Sequence, residues 1–212
     1  MRKTRTGFTG LSLLLSVVGL GAQSREPGLR IEVHIYNYSA FSAEMLFRAE
    51  QETARVFERV GVATIWLVCH PTSQGEARHE ACALPDAPTR LTIRLFSNSM
   101  ANRGRLGPDV FGYALLPANE GFGLVANVYA DRIRELPDGG ECAGVILGRV
   151  IAHELGHLLL GKHAHSAAGI MHTPWIGQDL KPHQEGMMQF LPGEAKRIRE
   201  QVLARMSSAS NR

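Results

Sequence analysis

Several things are missing from this chain. There is no internal repeat, no low-complexity tract and no break in composition that would mark a second domain, so its 212 residues read as about one domain. No stripe of basic residues runs along it, which argues against a nucleic-acid partner. No Ser or Cys nucleophile motif is present, so a covalent intermediate has no support. Cysteine is scarce, at three. Cys69 and Cys82 flank a polar loop and could close it as a disulfide. Cys142 is left over, and its expected role is that of a small buried thiol rather than a metal ligand.

A long membrane-spanning run is also missing. The apolar stretch at 11–20 is short for a span of roughly 20 residues. It follows a basic start (Arg2, Lys3, Arg5) and precedes Ala22-Gln23-Ser24, which has the small-x-small form of a cleavage site. These features predict a secretory signal peptide over residues 1–24 and a single domain over 25–212, exported to the periplasm or beyond, with no membrane span once processed. No cysteine near the cut suggests a lipid anchor. The expected mature chain also lacks excess charge, since three of the 23 Lys and Arg lie in the leader and none of the 20 Asp and Glu do. Only a few residues separate the cut from the first predicted strand, so no pro-segment is expected. A monomer is the expected state.

What is present centres on residues 151–161, Ile-Ala-His-Glu-Leu-Gly-His-Leu-Leu-Leu-Gly. On a helix, positions i and i+4 lie on one face about a turn apart. His153 and His157 can therefore each present an imidazole nitrogen to one tetrahedral Zn²⁺. Glu154 can face the open side of the metal and take a proton from the attacking water instead of ligating. The flanks are apolar, which puts the motif on a core helix. Two histidines and a carboxylate are costly there unless something satisfies them.

The next residues, Gly161-Lys162-His163-Ala164-His165-Ser166-Ala167-Ala168-Gly169-Ile170-Met171-His172, extend the pattern. Here the chain resembles the metzincin clan of zinc metallopeptidases. In that clan H-E-x-x-H-x-x-G-x-x-H brings a third His to the metal, and a turn with a methionine lies beneath it. Gly169-Ile170-Met171 resembles that turn. The clan's glycine position is Leu160 here, with Gly161 one residue later. His163 keeps the clan's count from His157, whereas His165 allows a longer turn. A narrower resemblance, to uncharacterised secreted bacterial proteins with H-E-[IL]-G-H-L-L-L-G-x-x-x-H-S-x-x-G-I-M, places its last His on His165. The resemblance thus implies His153, His157 and His165 as zinc ligands, with His163 as the alternative and Asp179 or Glu185 as further carboxylate candidates. It implies Glu154 as the catalytic base.

The expected fold is α+β and zincin-like: a mixed sheet of about four to five strands packed on an N-terminal helix and the motif helix, plus a C-terminal helix. Strands are read at 30–36, 62–69, 91–96, 111–116 and within 121–129. Ser42 caps a helix running to about Val60, whose charges, Glu52 and Arg55 among them, read as a solvated face. His34 reads as a surface strand residue, and His70 and His79 as ordinary loop residues. The motif helix spans 143–160, and its Gly148 and Gly156 suggest another backbone close by. A last helix begins at Pro192, with residues 207–212 frayed. Residues 112–115 form the candidate edge strand for pairing with an extended peptide. His172 is a candidate transition-state donor, and Trp175 a packing anchor or pocket wall.

These readings predict a zinc peptidase acting on a peptide or protein. The rival is a non-catalytic secreted protein that uses zinc as a structural staple.

Overall fold

Ile31, Val33 and Ile35 alternate with Glu32 and His34, and in the computed structural model this run is β1 (Arg30–Asn37). The structure describes residues 28–39, 41–69, 82, 87–101, 107, 110–118, 122–136, 139–175 and 186–210. The expected leader, His70, His79, Asp179 and Glu185 lie outside them. Helix α1 (Ala43–Glu58) follows, with Ser42 accepting a hydrogen bond from the Met45 amide at 3.2 Å. Next come β2 (Ala63–Cys69), β3 (Arg90–Phe96), a short α2 (Asn98–Ala101), β4 (Gly112–Leu115) and β5 (Val125–Tyr129). The chain continues with α3 (Ala130–Arg134), α4 (Gly139–Leu160) and α5 (Pro192–Ser210).

The five strands form one sheet in the order β2-β1-β3-β5-β4. All neighbours pair in parallel except β4, which runs antiparallel to β5 at one edge. One face of the sheet carries Ile31, Val33, Ile35, Leu91, Ile93, Leu95, Ala126 and Val128, all fully buried. Helices α1 and α4 pack against this sheet, and α5 packs on α4. The fold is therefore the α+β arrangement expected from the sequence.

Helix α4 is apolar around most of its circumference because it is enclosed on several sides, as a core helix is. Its small residues set how near α1 can come. A Cβ added at Gly148 would lie 2.6 Å from the Ala49 carbonyl, and one at Gly144 would lie 2.7 Å from Arg48 Cβ. Gly148 thus faces α1, while Gly156 faces Met171 in the turn beyond the helix.

Four sequence readings need correction. Glu52 is buried, not solvated: it pairs with Arg55 at 2.7 Å and with the fully buried Arg149 of α4 at 3.0 Å. His34 is buried as well, held by Glu32 at 2.5 Å and lying 3.9 Å from Cys69 Sγ. Cys69 is disulfide-bonded to Cys82, whose carbonyl accepts a bond from the Tyr36 hydroxyl on the same side of the sheet. In both cases a partner from a distant segment removes a polar residue from water, and local patterning does not register that. Residues 207–210 continue α5 instead of fraying, because Arg205 anchors that end. The motif helix begins at Gly139 and not at 143, and the short α3 precedes it.

Candidate metal centre

Helix α4 places His153 and His157 one turn apart, close to its C-terminal end. Gly161 ends the helix at φ 84°, the left-handed conformation that glycine adopts without steric cost, and its amide donates to the His157 carbonyl at 2.9 Å. His163 is also left-handed, at φ 59°, which is uncommon for a residue with a side chain. The reversal occupies residues 161–163, and His165 is the histidine that meets the helical pair. His163 is exposed on the cleft wall and stands outside the cluster.

The three Nε2 atoms converge. His157 Nε2 lies 3.1 Å from that of His153 and 3.0 Å from that of His165. All three lie within 4.8 Å of one another. His153 Nδ1 is 2.7 Å from the Ile170 carbonyl, which can only accept, so Nδ1 carries the proton and Nε2 keeps its lone pair. Burial pushes the His153 imidazole down to about 3 and that of His157 to about 4, with neighbouring imidazoles adding to both effects. At neutral pH a proton is thus a poor filling for the space between them. A small dication suits it better: Zn–N distances of 2.0–2.1 Å put tetrahedral ligand nitrogens about 3.3 Å apart. The donor set fits zinc.

The floor beneath is fixed by residues 166–172. The Ser166 amide donates to the Met171 carbonyl at 3.1 Å, and the Ile170 amide donates to Gln189 at 2.8 Å. Met171 is fully buried, its sulfur filling the space beside Gly156, where a Cβ would come within 2.5 Å. Two α5 arginines hold the end of α4, where carbonyls lack helical partners. Arg197 donates to Leu160 at 2.8 Å and Arg205 to Leu158 at 2.5 Å. Arg205 also reaches the Pro88 and Gly123 carbonyls and lies over the Phe122 ring. Sequence reading missed Arg205, although it falls three residues beyond Val202, on the apolar stripe of its helix.

Glu154 is 4% exposed, its Oε2 has no hydrogen-bond partner, and burial raises its carboxyl to about 8. Room for it is left by β4: a Cβ at Gly112 would stand 2.7 Å from Glu154 Oε1. The cleft measures about 410 Å³ and lies between β4 and the histidines, with Leu116 and Val150 among its apolar walls. Lys162 and Trp175 also line it, and His172 does not. Trp175 meets the His153 ring edge to face at 5.5 Å.

A core helix bearing a three-histidine cluster thus lies beside the antiparallel edge of a mixed sheet. No family model matches the sequence, and no curated protein matches it. Among solved structures, the chain is similar to archaemetzincin from Methanopyrus kandleri. The two are 14% identical, with a TM-score of 0.51, over 84% of this chain and 99% of that one. It is also similar to metalloproteinase-II from Bacteroides fragilis, at 15% identity and a TM-score of 0.47, over 82% of this chain and 53% of that one. The first likeness shows the fold.

Proposed function

We propose that this chain is a secreted, monomeric zinc metallopeptidase of metzincin type, with residues 1–24 as its export signal. His153, His157 and His165 would hold the metal, and the substrate would be a peptide or protein. Bound there, zinc would polarise a carbonyl and bring a water's pKa toward neutrality. Glu154 Oε2 takes the proton of the attacking water and passes it to the departing amine nitrogen. Positive charge held by the imidazoles favours the ionised carboxylate that this step needs. The free edge of β4 offers amide and carbonyl groups to an extended peptide, and Gly112 keeps that strand close to Glu154.

The observation that carries this reading is the buried, unpartnered Glu154 carboxylate beside the imidazole cluster. A purely structural metal site has no use for it, and such sites are normally closed by a fourth protein ligand. Among the described residues the cluster offers three. The test is Glu154→Gln: zinc per chain should stay near that of the wild type, and hydrolysis of a mixed peptide library should vanish. A variant that cleaves as fast as wild type would sink the proposal.

A further inference from the structure

The chain has two indoles, and they are placed differently. Trp66 Nε1 donates to Thr64 Oγ1 at 2.8 Å. Trp175 Nε1 is buried and has no acceptor. Leaving such a donor unmet is unfavourable, because the group has lost its water without gaining a partner. The orphan is not in an indifferent place, since Trp175 lines the cleft and packs against His153. Glu154 Oε2 is the other buried, unpartnered polar atom among the described residues of that cleft. The cleft therefore holds one unmet acceptor on α4 and one unmet donor just beyond residues 166–172. A hydrolysed amide supplies the complement of both: a water proton for the acceptor and a carbonyl oxygen for the donor.

We propose that Trp175 is a catalytic residue whose indole N–H donates to a carbonyl oxygen of the bound peptide, opposite Glu154. This rests on the peptidase reading above. A donor aimed at a carbonyl that gains negative charge is worth more as the reaction proceeds. Its removal therefore lowers kcat more than it raises KM. His172, directly after Met171, lies outside the cleft lining, and Thr173, which lines it, is solvent-exposed, so Trp175 is the residue of this segment that brings a buried, unmet donor to the cleft.

The test reads the indole directly. The probe is the peptide that the wild type cleaves fastest from a mixed library, titrated into zinc-loaded Glu154→Gln labelled with 15N-indole tryptophan. Two indole N–H signals are present, and Trp66, already bonded to Thr64, is the internal control. The expected result is a downfield shift of the Trp175 N–H on peptide binding, with Trp66 unmoved. Trp175→Phe, which keeps a ring beside His153, should lose about 10- to 100-fold in kcat, with KM within about threefold and zinc content unchanged. If the peptide binds and the Trp175 signal stays still, Trp175 is only a wall, and the peptidase reading survives. If the wild type cleaves nothing in the library while fully loaded with zinc, the peptidase reading fails and takes this proposal with it.

Discussion

Gly112 lacks a side chain where one would strike Glu154 Oε1 at 2.7 Å and the Asn127 carbonyl at 2.8 Å. Gly112→Ala must therefore displace either the carboxylate or the edge strand. The expected outcome is a fall of at least about tenfold in kcat/KM with zinc content retained, measured on the same peptide before and after substitution. The two downstream histidines can be separated in a similar way. His165→Ala should weaken zinc binding by at least about 100-fold, whereas His163→Ala should leave it within about threefold, as read by competition with a chelating dye. Equal losses in the two variants would mean that the turn delivers a different ligand. At this scale the sequence was legible where chemistry dictates spacing: H-E-x-x-H names its own geometry. It was opaque where burial depends on a distant partner. Nothing near His34 announces the Cys69–Cys82 disulfide that lies beside it, and nothing near Glu52 announces Arg149, 97 residues away.

Between elements, the contact that sets the site is α1 against α4. Gly144 and Gly148 let the two helices approach, and the Thr53 hydroxyl donates to the Gly148 carbonyl at 2.8 Å across the gap. Gly148→Ala places a methyl 2.6 Å from the Ala49 carbonyl and should cost about 1–3 kcal/mol in denaturant unfolding. The Glu52–Arg149 pair locks the same crossing. Arg149→Met leaves the buried Glu52 carboxylate with Arg55 as its remaining partner and should cost about 1–3 kcal/mol, while the double change Glu52→Leu with Arg149→Met should recover most of that loss. If the double variant is no better than the single, the pair is not the source of the cost. The strands and long helices were readable because period-2 and period-3.6 patterns are local. The short α2 and α3 were not: four or five residues carry too little periodicity to stand out, and tertiary contacts decide their conformation.

For the whole molecule, the proposed ligands come from a helix and from the reversal after it, and α5 braces the end of that helix. Metal binding and folding should therefore be linked. Chelation is expected to lower Tm. Zinc in about 1,000-fold excess over its Kd should restore about 4 kcal/mol, which calorimetry with and without the ion can check. A Tm indifferent to zinc would detach the histidine cluster from any metal. The fold class was legible because the run of strand, helix, strand and motif helix leaves few ways to cover one apolar sheet face. The role of α5 was not, because a stripe of Ala195, Ile198 and Val202 says that the helix docks but not which carbonyls its arginines will reach.

The two arginine caps on α4 have a consequence in time. Arg197 and Arg205 are synthesised after the segment whose carbonyls they hold. A nascent chain that has exposed its histidines but not yet its last helix cannot brace them. The braced arrangement of the histidines should thus form only once translation has moved well past the motif itself.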